Sequence, residues 1–286
     1  MSVAAAVDVP VAEHRGFRQR WYRTPSFVAG VSILGAIVLL AILAPVVTWH
    51  EPDEQDLLNI LQTSSWSHPL GTDDLGRDVW TRLVYGARTD LQVAVLAVLF
   101  PFVLGTIGGL IAGYFGGRAD TIANWLVSIV VAFPFYVLII ALVFALGPGT
   151  RNIYIAITMV GWVSYTRIVR GEVLVAKRQE YVLAAQAAGL SSARILRRHL
   201  LPNVITQAVV FAMSDIVLVI LAIVTLGYLG LGVQPPTPDW GRMIADGQGY
   251  LTTNWQLSTI PGIAVVITAL GLSLLADGLA DLLRPE

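Results

Sequence analysis

Four stretches of this chain, residues 27–47, 91–117, 121–150 and 248–276, carry no charged side chain over the thickness of a bilayer. A helix needs about 20 mainly apolar residues to cross the hydrocarbon core, and each run is long enough. Lipid offers no partner to a backbone N–H or C=O, so such runs fold as helices that satisfy their own polar groups. A fifth run, 203–238, holds a single charge, Asp215, and has room for another span. The weakest, 152–166, ends on Arg167 and Arg170. Those side chains can snorkel to the interface and let the helix continue to about Leu174. The prediction is an all-α integral membrane protein with six transmembrane helices. Charged residues make up 13% of the chain, against roughly 25% in soluble domains, which agrees.

Basic residues sort the loops between the two sides. With the N-terminus inside, thirteen lysines and arginines fall on the inner side, among them Arg15, Arg18, Arg20 and Arg23, and five fall outside. The predicted arrangement is N-in and C-in. Residues 1–26 form a cytoplasmic segment, 27–48 the first span, and 49–90 an extracytoplasmic loop with room for one or two short helices. Residues 91–286 form a core of five helices with a cytoplasmic loop at 175–203. No small-residue cleavage signal follows the first span, so it reads as an anchor and not a removed signal peptide. Pro45, Pro101, Pro134 and Pro261 fall inside apolar runs and favour kinks there. Gly105, Gly108, Gly109 and Gly113 repeat at helical spacing and permit close helix approach.

Residues 180–203, EYVLAAQAAGLSSARILRRHLLPN, read differently from the spans around them. They form two short helices, the first ending at Gly189, because glycine tolerates the left-handed conformation wanted past a helix C-terminus. Ser191 or Ser192 can cap the second, and Pro202 ends it before the next span begins near Asn203. Arg194, Arg197 and Arg198 share one face. A small-residue helix on a basic loop exposes apolar surface that needs a covering partner, or else lies on lipid phosphates. Such an elbow, tied to two spans, would move both when pushed.

Several function classes are excluded. The chain has no cysteine, which removes disulfides and thiolate chemistry. His14, His50, His68 and His199 lack metal-ligand spacing, and there is no basic surplus for nucleic acid. No catalytic Ser/His/Asp set is suggested. The sole lysine, Lys177, is followed by Arg178, so no G-x-x-x-x-G-K-[ST] loop exists and ATP must be hydrolysed elsewhere. Asp215 either lines a substrate path or hydrogen-bonds a neighbouring helix.

The 180–203 loop resembles the cytoplasmic loop of ABC importer permeases, whose pattern is Glu-Ala-Ala, three residues, Gly, then Ile and Leu-Pro. The match is Ala184, Ala185, Gly189, Ile195, Leu201 and Pro202, with Leu183 where the family places its glutamate. Residues 68–79, HPLGTDDLGRDV, and 229–241, LGLGVQPPTPDWG, resemble the "C"-type permeases of the dipeptide/oligopeptide/nickel branch. Residues 112–117 and 277–281 fit the same branch. The resemblance implies a type I importer permease in the bacterial inner membrane. It would form a heterodimer with a second permease and work with two ATP-binding cassette ATPases and an extracytoplasmic substrate-binding protein.

It also implies that no cofactor binds this chain, ATP and Mg being held by the ATPases. The solute would be short peptides, with nickel chelates, glutathione or haem as related cargoes. Docking of the ATPase would fall to Glu180, Tyr181, Ala184, Ala185, Ala188, Gly189, Arg194, Arg197, Arg198 and Pro202. Asp73, Arg77, Asp78, Asp239 and Trp240 would shape the outer mouth and meet the binding protein, or else plug the space between spans. An ATP-independent secondary transporter is the alternative; it calls for an inverted repeat or several intramembrane charges.

Overall fold

The structure, a computed structural model, describes residues 24–283; the four N-terminal arginines and Arg284 of the charge count lie outside that range. Helices α1 (Pro25–Ile42) and α2 (Ala44–Val47) lead into an irregular segment, 48–78. Helix α3 (Val79–Phe115) is followed by α4 (Gly117–Val131), α5 (Phe135–Leu146) and α6 (Thr150–Ala176). Then come α7 (Glu180–Ala187), α8 (Ser192–Ile195), a π turn (Leu196–Leu200) and α9 (Leu201–Tyr228). Helix α10 (Trp240–Gly247), a 3-10 turn and α11 (Gln256–Leu283) complete the described chain. The only extended pairing among the described residues is an isolated bridge between Thr72 and Asp78.

Four helices are long and apolar enough to cross a membrane: α1, α3, the continuous 192–228 helix and α11. A fifth crossing exists if α4 and α5 count as one, but they meet at 86°. The kink expected at Pro134 in the 121–150 run is thus a sharp break. Pro134 has no N–H to continue α4 and pushes its predecessor out of the helical region, and it stands as the N-cap of α5 instead. Pro101 and Pro261, by contrast, sit inside continuous helices. Within the 49–90 loop the helical part is 79–90, which is the start of α3 and not a separate short helix. Residues 48–78 form turns, and the helix that follows begins at Val79, twelve residues before the apolar run.

The sixth expected span, α6, is not apolar enough to count by composition. Its 27 residues nevertheless reach roughly 40 Å at 1.5 Å per residue. Several of its polar side chains turn to the bundle, with Tyr165 and Thr166 buried and Arg170 gripping Asp120 of α4, while Ser164 and Arg167 are exposed. Helices α3 and α6 form the most extensive helix pair, and α9 packs against both. The seam closes because Gly105, Gly109 and Gly113 face α6; a Cβ on Gly105 would lie 2.4 Å from the Trp162 carbonyl oxygen. One core cluster runs through α3, α5, α6 and α9 and continues into α7 and α8. A smaller one gathers Ala41, Val79, Trp240, Met243 and Leu257 at the opposite end.

Candidate functional site

The elbow at one end of the bundle is built by its caps. Helix α7 closes in a Schellman arrangement: the N–H of Gly189 donates to the Gln186 carbonyl at 2.9 Å and that of Leu190 to Ala185 at 3.2 Å. Gly189 has φ +73°, the left-handed geometry that favours glycine. Leu190 packs on the core, which fixes the angle between the two helices. Ser191 stands at the N-cap of α8 but makes no side-chain cap bond, contrary to the expected serine cap.

Pro202 does not end a helix either. Residues 192–228 form one continuous helix, with Pro202 in the first turn of α9. The missing N–H and the ring that crowds the carbonyl four residues back fall beside the π turn, whose wider winding accommodates them. The second half of the elbow is thus the end of a spanning helix. A displacement of the elbow is a displacement of α9.

The structure sorts the expected docking residues by face. Glu180, Tyr181, Ala184, Ala188, Gly189, Arg194, Arg197, Arg198 and Pro202 are exposed, together with Leu183. Ala185 is not: it lies buried with Val182 against Ile195 and Leu200 in the main core cluster. Its role is to anchor α7 to the permease, since every fourth residue of a helix returns to the same face. The elbow is tied further by Lys177, whose ammonium donates to the Gly113 carbonyl at 2.7 Å. Asp120 and Arg170 add a two-pronged ion pair, with the Arg170 Nη2 to Asp120 Oδ2 contact at 2.7 Å. Sequence reading missed these ties, since the partners are about 50 or more residues apart.

At the other end, the five outer-mouth candidates are brought together but turned inward. Asp73, Asp78, Asp239 and Trp240 are buried, and the side chain of Arg77 is 11% exposed. Asp78 caps α3, accepting from the N–H and hydroxyl of Thr81 at 2.8 and 2.7 Å, and meets His68 Nδ1 at 3.1 Å. Asp73 accepts from the Leu75 and Arg77 N–H groups and from Arg77 Nε at 2.7 Å. Asp239 caps α10 through the Arg242 N–H at 3.0 Å. Trp240 donates its indole N–H to the Leu83 carbonyl at 3.0 Å.

Arg77 Nη2 lies 3.8 Å from Asp246, and Val79 and Trp240 share a buried cluster, so these side chains link residues 68–79 to 239–247. Their burial favours the structural-plug alternative over contact with a binding protein. The exposed part of the same loop is 234–237, Gln-Pro-Pro-Thr.

Asp215 is buried on α9, where its Oδ2 accepts the Tyr165 hydroxyl at 2.7 Å. Tyr165 is held in turn by edge-on contacts with Phe102 and Phe211. A wide cleft of about 790 Å³, lined by Val38, Arg88, Gln92, Leu96, Tyr154 and Thr237 among others, does not include Asp215. The arrangement favours a strap between α6 and α9. Asp215→Asn and Tyr165→Phe should each lower stability by about 1–3 kcal/mol, the usual loss for a buried bond to a charged group. Solute uptake per folded transporter should stay near wild type; a tenfold fall with unchanged melting would return Asp215 to the solute path.

The described residues thus form a helical bundle with an elbow exposed on its outer face at one end and a buried cluster around Trp240 at the other. The chain belongs to the family described as binding-protein-dependent transport system inner membrane component, which matches residues 105–286. Residues 15–63 match the N-terminal TM domain of oligopeptide transport permease C. It is 39% identical over 259 residues to a dipeptide transport system permease protein of Alkalihalophilus pseudofirmus, covering 91% of this chain and 85% of that one. An oligopeptide transport system permease protein of Bacillus subtilis is also 39% identical, over 90% of this chain and 84% of the relative. The MetNI methionine ABC transporter, in an inward-facing conformation, shares the fold at a TM-score of 0.53 and 19% identity. That match covers 71% of this chain and 97% of the other. The chain is thus a multi-pass inner-membrane permease component of ABC importers, a transport subunit that works with others.

Proposed function

We propose that this chain is one half of a heterodimeric pathway that imports short peptides, driven by two ATPase subunits docked on the elbow. The observation that carries the reading is the elbow itself. Its inner face belongs to the core, its outer face is a bare patch of alanine and leucine rimmed by arginines, and its second half is continuous with α9. An ATPase that moves it moves a span, which is how a partner biases a two-state element. ATP and Mg belong to those partners. Peptide cargo is supported by the relatives' names, and a substrate-binding protein by the family's description.

In this reading the N-terminus is cytoplasmic, α6 is the fourth of six spans, with Tyr165, Thr166 and Arg170 turned to the bundle, and the plug faces outside. The exposed 234–237 loop replaces Asp239 and Trp240 as the surface offered to the binding protein.

The cysteine-free sequence makes the test direct. A single cysteine at Gln186 should react with impermeant maleimide only from the cytoplasmic side, and one at Thr237 only from outside. In proteoliposomes, labelled dipeptide should accumulate only with the second permease, the ATPases, the binding protein and ATP all present. Uptake by this chain alone without ATP, or labelling of both sites from one side, would overturn the reading.

A further inference from the structure

The plug contains two carboxylates, each with one oxygen that has no hydrogen-bond partner among the described residues. Asp90, on α3, is fully buried; its Oδ2 accepts the Trp240 N–H at 3.0 Å and its Oδ1 has no hydrogen-bond partner. Asp239, one residue before Trp240, is 1% exposed; its Oδ1 accepts the Arg242 N–H and its Oδ2 is likewise without a partner. Both acids thus lie where α3 joins the start of α10, Asp90 accepting the Trp240 N–H and Asp239 standing one residue before Trp240, each with one bare oxygen. A buried carboxylate left bare is among the costliest arrangements in a protein, and two of like charge at one site cannot both ionise.

The nearby cations each hold another partner, although Arg82 and Arg242 still pull the Asp239 carboxyl down electrostatically. On α3, Arg82 donates to the Pro52 carbonyl at 3.0 Å and lies 3.6 Å from Asp73. On α10, Arg242 holds Asp246 at 2.8 Å. From the 68–79 segment, Arg77 holds Asp73, with Asp74 and Asp246 at 3.8 Å. From α9 the neighbour is Gly227, where an added Cβ would sit 2.2 Å from Asp239 Oδ1.

We propose that Asp90 and Asp239 hold one proton between them, a buried acid–carboxylate pair that fastens α3 to α10 at the plug. One O–H···O⁻ bond satisfies both bare oxygens and leaves a single negative charge, stabilised by the N–H groups of Trp240 and Arg242. Burial pushes the Asp239 carboxyl up to about 6, against the pull of the Arg242 and Gly241 N–H groups. The sign follows: the folded plug keeps a proton that the unfolded chain releases near pH 4, so stability falls as pH rises past that value. The site is a proton-binding one, and the plug loosens when the proton leaves.

The experiment uses the assembled transporter in detergent. The melting temperature should fall by roughly 4 °C or more between about pH 5 and about pH 8. Infrared spectra at about pH 5 should show a protonated carboxyl band that fades by about pH 8. In Asp90→Asn the amide N–H takes the place of the proton. That variant should lose the band and the alkaline fall while melting near wild type at low pH. Asp239→Asn should do the same. Retention of both the band and the fall in the two variants overturns the proposal, as does stabilisation at fixed pH by sodium in place of the proton. If neither variant folds, a wild-type melting temperature that is flat or rising over that range overturns it.

Discussion

Replacing Gly105 with leucine should leave no folded transporter to purify. Its Cβ would fall 2.4 Å from the Trp162 carbonyl oxygen and 2.5 Å from the Tyr165 Cβ. These are atoms of a helix backbone and the root of a fully buried side chain, neither able to step aside. Thr166, which donates to the Gly105 carbonyl at 3.2 Å, would be displaced with them. In lipid the seam is held by close packing and not by a hydrophobic drive, so a wedge there removes the main attraction between α3 and α6.

Even Gly105→Ala should cost about 2–3 kcal/mol, at the upper end for overpacking. Gly109→Ala, with a Cβ 2.7 Å from the Thr166 carbonyl, should be similar. Gly171→Ala, on the open side of α6 with nothing within 4 Å, should be neutral or slightly stabilising. Melting of the detergent-purified complex separates these. A Gly105→Leu protein that melts like wild type would show that the seam is not built this way.

Ala188→Trp should abolish ATPase co-purification and cut solute uptake more than tenfold while the permease itself stays folded. Ala188 is exposed beside Ala184 on the outer face of α7, so an indole there meets nothing in this chain and obstructs only a partner. Ala185→Trp should act otherwise. That residue is 7% exposed and packs with Val182, so a large ring must force α7 off the core and lower the melting temperature. Equal loss of folded protein in both variants would deny that α7 has a partner face and a core face. Retained ATPase binding in a folded Ala188→Trp protein would place the docking surface elsewhere.

The contrast between these two alanines shows where sequence reading stopped. A run of alanines in 180–188 marks a close-packed helix, but residues of the same type carry no label for inside and outside. Tyr165 and Asp90 illustrate the same limit. Each is one polar residue in an otherwise apolar or ordinary stretch, and their partners, Asp215 and the Trp240 N–H, lie 50 and 150 residues away. The outer-mouth residues were found as a set because the motifs that carry them are long. Their burial could not be read, since Asp and Arg suit an exposed rim and a paired interior equally well.

The sequence by itself determined that the chain is helical and membrane-embedded. Lipid leaves no other choice to charge-free runs of span length. The sequence also placed a helix–glycine–helix elbow between two spans, because Gly189 must take a left-handed turn. Only the tertiary structure decided that α6 carries polar residues through the bundle by turning them towards α3, α4 and α9. It alone joined the elbow to α9 through Pro202, since a π turn could absorb what proline removes. And it turned the plug's acids inward, because those choices depend on which backbones come within a few ångströms of one another, a quantity local pattern does not contain.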